Sequence, residues 1–319
     1  MKKRILFVIM LFLGCAGFIK PVQAQNRSAE IDENSIIVSS TEEFYKALSL
    51  QIRNHKDVVS YYTYQGVLGT DYQKILDEYY YFHDVDNLPD SGSYLCHYLK
   101  DIEMVFYKGK YTEDCNLQIE VKVTYKYDKQ EMDEYFQYMK ELASKLKKKS
   151  DYESVKAVHD YLIKNYDYDY RYQNHLDYEG YLDGKMVCQG YCMAAFLLLA
   201  EMDIPVRIVV GASEDYEADS DHAWNVVKVD GYWYNMDVTW DDKGGNASPD
   251  YRFFLKSDLD FYKHTREGWY DYDREMALVS YSMPKSIEAG PLVTVVVAVV
   301  FTMVFLRKRA KKREESEEI

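Results

Sequence analysis

Cysteine is scarce in this chain: five among 319 residues, too few for a disulfide-built scaffold. Positive charge is scarce as well. Between Gln25 and Ala289 stand 29 Lys and Arg against 49 Asp and Glu, a balance near −20. A nucleic-acid partner would need those cations to neutralise phosphates, so that class is excluded. No internal repeat and no long Gly, Ser or Pro linker breaks up the middle of the chain. The histidines lack metal-ligand spacing, and only four cysteines would survive removal of a leader, so no zinc, other metal or cofactor is expected. What is plentiful argues against disorder: 47% of residues are apolar, enough to build a core. Tyrosine, at 33 residues, suits surfaces that are apolar along the ring and wet at the hydroxyl.

The two ends are unlike the middle. Lys2, Lys3 and Arg4 precede the apolar run Ile5 to Leu13, and Val22-Gln23-Ala24 places small residues where a signal peptidase cuts, so residues 1–24 read as a signal peptide. Phe12-Leu13-Gly14-Cys15 is a poor lipoprotein box. Near the other end, Ala289 to Leu306 is 18 residues without a charge. As a helix that run is roughly 27 Å long, enough for most of a bilayer core. The basic residues that open the tail, 307–319, would keep that side cytoplasmic. Met283-Pro284-Lys285-Ser286 faintly resembles a sortase signal, but Ile287 replaces the cleaved Gly, so a permanent anchor is favoured. The expectation is a single-pass protein of the cell membrane with its bulk outside the cytoplasm.

The middle reads as α+β. Ser40-Thr41-Glu42-Glu43 forms a capping box ahead of Phe44, Leu48 and Ile52, which share one helical stripe. Leu117 to Tyr127 alternates strictly and predicts a half-buried strand, with Ile102 to Tyr107 as hairpin partner. Helical spacing runs through Met132, Phe136, Met139, Leu142 and Leu146, and again through Val155, Val158, Leu162 and Tyr166. A further helix is predicted from Cys188 to Met202, then strands at Val206–Val210, Ala223–Val229 and Tyr232–Val238. Residues 25–150 carry no motif with attachable chemistry; Tyr61-Tyr62-Thr63-Tyr64 and Tyr79-Tyr80-Tyr81 are open between a ligand surface and core.

Three residues stand out for chemistry: Cys188, His222 and Asp237. A cysteine nucleophile must ionise, and a helix N-terminus or a neighbouring histidinium lowers a thiol from its usual pKa of about 8.5. Gly184-Lys185-Met186-Val187 leads into Cys188, with apolar helical spacing after it, so Cys188 falls in a first turn. Asp230-Gly231 between two apolar runs predicts a two-residue hairpin turn. Counting outward from it pairs Trp224 with Asp237 and His222 with Thr239. His222 and Asp237 would then be diagonal neighbours on one face, with Cβ atoms roughly 7 Å apart. A three-residue loop would separate them. The carboxylate would orient the imidazole, and the imidazole would hold the thiolate.

Val187-Cys188-Gln189-Gly190-Tyr191, His222-Ala223-Trp224-Asn225 and Asp237-Val238-Thr239-Trp240-Asp241 together resemble the bacterial transglutaminase-like superfamily. The resemblance covers roughly Tyr152 to His264. It implies a papain-like α+β core, in which the helix bearing the catalytic cysteine packs on an antiparallel sheet. It also implies Cys188 as nucleophile, His222 as general base and acid, Asp237 as orienter, and acyl transfer through a thioester. Cys192 departs from the common Ala and raises a redox side reaction. The domain expectation is a leader (1–24), an N-terminal α+β region (25–150), a transglutaminase-like catalytic domain (151–282), a transmembrane helix (289–306) and a basic tail. The leading reading is a membrane-anchored extracytoplasmic enzyme acting on glutamine or peptide amides, with a protein or peptide, cell-wall peptide included, as partner. A cysteine peptidase or amidase and a catalytically silent surface-binding module are the alternatives.

Other clusters read more plainly. Asp215, Glu217, Asp219 and Asp221 alternate like calcium ligands but lack the central Gly and terminal Glu of an EF-hand, so a solvated acidic loop is expected. Cys96 and Cys115 could bridge the proposed hairpin in an oxidising compartment. Asn246-Ala247-Ser248 is a sequon.

Overall fold

From the amino end the elements are β1 (Gln25–Asn26), β2 (Ile36–Ile37), α1 (Thr41–Arg53), β3 (Val58–Thr63), α2 (Gln65–Leu68), α3 (Tyr72–Tyr80), α4 (Gly92–Leu95), β4 (Leu99–Lys108), β5 (Leu117–Tyr125), α5 (Lys129–Leu146) and α6 (Asp151–Asn165). There follow β6 (Asp167–Tyr168), α7 (Asp177–Asp183), β7 (Lys185–Met186), α8 (Cys188–Ala200), β8 (Val206–Asp215), β9 (Ala218–Val229), β10 (Tyr232–Met236), α9 (Val238–Asp241) and β11 (His264–Arg266). The structure is a computed structural model that describes residues 25–26, 31, 35–82, 88–215, 218–245, 248–266 and 275–282. These elements lie in one unit, 1–281; of the second unit, 282–319, only Ser282 is described. The expected leader, the Cys15 box, the sequon's Asn246, the sortase-like stretch, the span 289–306 and the basic tail fall outside the described residues. Among the described residues no helix is long and apolar enough to cross a membrane.

The architecture is mixed α+β. One sheet has the order β1-β4-β5-β3-β2, with β4 and β5 antiparallel as the alternation predicts. The other has the order β10-β9-β8-β11, antiparallel throughout. A parallel pair, β6 and β7, is separate. Helix α1 begins where its cap predicts: the Ser40 hydroxyl accepts the Glu43 N–H at 3.1 Å. The Glu43 carboxylate accepts from Ser39 rather than from Ser40.

Helix α8 decides where the site sits. Gln189 through Ala200 are all buried, and a helix apolar all round must be enclosed on every side. It packs on β8 and β9 and against α5, α6 and α7. The second sheet is buried on both faces, and alternation along its strands sorts the side chains. Ile208, Ala223 and Val227 join the main core around α8, while Val209, Trp224 and Val226 join Trp233, Phe253 and Phe261 in a second cluster.

That main core also takes in the tyrosines of the N-terminal region. Tyr61, Tyr62, Tyr79 and Tyr80 are buried, leaving Tyr64 and Tyr81 exposed, so both clusters are largely core. Tyr94, Tyr98 and Tyr135 all donate hydroxyls to the buried carboxylate of Asp177, at 2.8 Å from Tyr94 and 2.9 Å from Tyr135. Burial pushes that carboxyl above its ordinary range, and the three hydroxyls pull against the shift. An Asp177→Asn substitution turns one acceptor oxygen into a donor that faces hydroxyls. We expect a loss of about 2 kcal/mol in urea unfolding, with no change in m-value.

The Cys96–Cys115 bridge left open by the sequence is not formed; both thiols are free and buried. Cys96 precedes the start of β4, and Cys115 sits at the turn beyond its far end. The register pairs Leu99 with Tyr125 and Lys108 with Leu117, so a whole strand of roughly 30 Å separates them. A disulfide needs Cα atoms within about 7 Å.

Candidate active site

Cys188 is the first residue of α8, and Val187, in extended conformation, is its N-cap. The approach is fixed by pairing of Tyr168 with Met186, two residues before the thiol. At a helix start the backbone N–H groups have no partner within the helix, and their partial charge favours an anion. Cys188 retains some exposure, whereas Cys192, one turn on, is buried.

The hairpin forms as its turn residues predict. Asp230 and Gly231 have φ of 51° and 89°, the positive pair that a two-residue turn of this hand requires. Val229 pairs with Tyr232, and the ladder runs to Asn225 opposite Met236. There it stops. Asp237 does not continue as strand: it caps α9, its Oδ1 accepting the Trp240 N–H at 3.1 Å. The expected pairs Trp224–Asp237 and His222–Thr239 therefore lie beyond the ladder. The side chains meet nonetheless, His222 Nε2 lying 2.7 Å from Asp237 Oδ2. The other ring nitrogen is left for Cys188, with which His222 is hydrogen-bonded. The Ala223 N–H also donates to the Cys188 sulfur.

Charge follows from these contacts. Burial resists the thiolate, but the His222 hydrogen bond and charge, with the Ala223 N–H, outweigh it and hold Cys188 below the ordinary thiol range. Burial likewise disfavours a charged His222, yet the Asp237 charge and hydrogen bond, with help from Cys188, raise it to about 10. Asp237 is buried, but two imidazoles keep its carboxyl far below the carboxylate range. These contacts favour a thiolate–imidazolium pair beside an ionised Asp237. Burial first, then the charges of Cys188, Asp177 and Asp237, drive Cys192 well above its normal value. That keeps it a thiol and leaves it poorly placed for the redox side reaction that the sequence raised.

The second imidazole on Asp237 is His264, from β11, whose Nε2 lies 3.0 Å from the same Oδ2. Sequence reasoning did not single it out. It sits in a three-residue strand after an aperiodic loop, and only the pairing of β11 with β8 brings it in. His222, Asp237 and His264 place one potential ligand atom each within 4.8 Å of one another, but with its pKa raised to about 10 the His222 Nε2 carries a proton and has no lone pair to offer an ion. Because His264 is distant in sequence, no ligand spacing announced this.

Residues 140–238 match a family model described as the transglutaminase-like superfamily. This segment carries a transglutaminase-like core. No curated protein matches the chain. Among solved structures, one from Cytophaga hutchinsonii, provisionally assigned as a cysteine protease, is 16% identical, with 53% of this chain and 72% of that one covered and a TM-score of 0.30. A protein described as a TGase is 14% identical over 65% of this chain and 60% of that one, with a TM-score of 0.31. A protein from Parabacteroides distasonis, provisionally assigned as a protease, is 10% identical over 47% and 40%, with a TM-score of 0.23.

Several transglutaminase-like motif residues hold the core together. Asn225 Nδ2 donates to the carbonyls of Cys192, at 3.0 Å, and Arg207, at 3.3 Å, tying α8 to the sheet. Tyr191 donates to Asp242 at 2.6 Å. His159 and Asp241, both with fully buried side chains, meet at 3.2 Å. Gln189 Nε2 lies 3.0 Å from His97 Nδ1. Of the calcium-like acids, Asp215 ends β8 and Asp219 and Asp221 lie on β9, while Glu217 is outside the described residues.

Proposed function

We propose that this chain is a thioester-forming enzyme of the transglutaminase-like class, with Cys188 as nucleophile, His222 as acid and base, and Asp237 as orienter. The observation that carries this reading is the continuous chain from the Cys188 sulfur through His222 to Asp237 Oδ2, 2.7 Å from the ring nitrogen. The thiolate attacks the carbonyl carbon of a glutamine side-chain amide. The C–N bond breaks as the imidazolium gives its proton to the leaving nitrogen, so ammonia departs and a thioester remains. An amine that loses its proton to His222 then attacks the thioester, forming an isopeptide bond and restoring the thiolate. The backbone N–H of Cys188, at the helix start, is the natural donor to the oxyanion.

The charge and the two ends support a location for this chemistry. A leader at 1–24 and an uncharged run at 289–306 before a basic cluster suit a single-pass anchor with the enzyme outside the cytoplasm, facing protein or cell-wall peptides. The test is incubation of the purified protein with a glutamine peptide and a labelled amine. Ammonia release with amine incorporation is expected. New peptide amino termini would replace transfer with proteolysis, and no reaction across a peptide library would leave a binding module.

A further inference from the structure

We propose that His264 is a positioning residue: its Nε2–H fixes Asp237 and shares that carboxylate with His222, setting how firmly His222 keeps its proton. The proposal rests on the catalytic reading above and deepens it. Two imidazoles meet at a single oxygen. His222 Nε2 lies 2.7 Å and His264 Nε2 3.0 Å from Asp237 Oδ2, while Oδ1 is occupied by the Trp240 N–H. An ionised carboxylate only accepts, so both rings donate.

The far side of His264 is pinned as well. Its Nδ1 lies 3.1 Å from the Tyr262 carbonyl, another group that only accepts. The surroundings hold the ring in place. The side chain is fully buried, with the Phe261 ring stacked at 4.0 Å and Trp240 at 4.5 Å, Trp224 at 5.2 Å and Phe253 at 5.4 Å between centroids.

The titratable and charged neighbours set the sign of the effect. Cys188 approaches His222 from α8, Asp237 and Asp241 flank α9, and Asp258 and Arg266 stand across a cavity of about 330 Å³ that His264 borders. Arg266 is held there by Asp258 in two bonds of 2.8 and 2.7 Å. Its charge is thereby balanced, and His264 is the group that meets Asp237 Oδ2 opposite His222. Each hydrogen bond that Oδ2 accepts from His264 weakens the hold of Oδ2 on the His222 proton. The two ring centroids lie 5.5 Å apart. The shared oxygen makes His222 a better acid, as protonation of a leaving amine requires.

The test compares His264→Phe, which keeps an aromatic ring in the box but no donor, with His264→Gln, whose amide nitrogen falls near the position of Nε2. The His222 ring is titrated by NMR in the substrate-free protein. The proposal expects the midpoint to rise by about one unit in His264→Phe and to stay near wild type in His264→Gln. Turnover in His264→Phe should fall about tenfold to a hundredfold, mainly in kcat, as the carboxylate loses its second tether. An unmoved midpoint in His264→Phe, with only stability reduced, would make His264 a packing residue and overturn the proposal. Because the titration needs no substrate, failure to find turnover would sink the catalytic reading without obscuring this result.

Discussion

Iodoacetamide should alkylate Cys188 far faster than Cys96, Cys115 or Cys192, and at a pH where an ordinary thiol is still protonated. The thiolate is the reactive species, and its fraction changes about tenfold per pKa unit. His222 and the Ala223 N–H lower Cys188, whereas burial pushes Cys96 up to about 12 and, with neighbouring charges, raises Cys192 well above its ordinary value. Labelling and turnover should then part company at high pH. Labelling needs only the thiolate, so it persists as pH rises through about 10, the value of His222. Turnover also needs the imidazolium as acid, so it should fall through that same range. In His222→Ala only the Ala223 N–H still opposes the burial that resists the thiolate, and labelling near neutrality should drop on the order of a hundredfold. Cys188→Ala should abolish turnover and keep the urea-unfolding midpoint. Full turnover in that variant, or equal labelling of Cys192, would end the nucleophile assignment.

Gly211→Ala should be among the most damaging single-methyl changes in the chain. Gly211 lies on β8 opposite both His222 on β9 and Arg266 on β11. A Cβ there would fall 2.1 Å from the Thr265 carbonyl oxygen and 2.8 Å from Trp224 Cη2. Neither neighbour can yield cheaply: one is backbone, the other a buried indole. β11 would have to lift from β8, taking His264 away from Asp237. Overpacking usually costs about 1–3 kcal/mol, and here a strand must also detach, so a loss on the order of 4 kcal/mol is expected in thermal or urea unfolding. Activity should fall beyond what the unfolded fraction explains. A variant as stable as wild type would show that β11 is looser than described.

Much of this could be read from local pattern because local pattern was its cause. The strict alternation of Leu117 to Tyr125 is β5, and the apolar run after Cys188 is α8. Asp230-Gly231 announced its turn because both residues must take positive φ, which few pairs tolerate. Register counting worked only while the chain remained a strand. It failed at Asp237, because a carboxylate in that position can cap a helix turn, and the Trp240 N–H took it. The contact with His222 survived that failure because a bent chain brings the side chains as close as a ladder would. His264 left no trace in periodicity, since a three-residue strand is too short to show one. The open question of a Cys96–Cys115 pairing has a similar root: closeness in sequence to one hairpin did not say which end each thiol would occupy.

The three tyrosines on Asp177 bear on how this protein could be cut. Tyr94, Tyr98 and Tyr135 come from before the transglutaminase-like motifs, and Asp177 lies between His159 and Cys188. A protease that severed the chain near residue 150 and let the front portion drift away would strip a buried acid of all three donors and uncover the flank of α8. The Cys188-bearing half thus leans on the front portion, and clipping in that region should disturb the helix that carries Cys188 rather than release a working half.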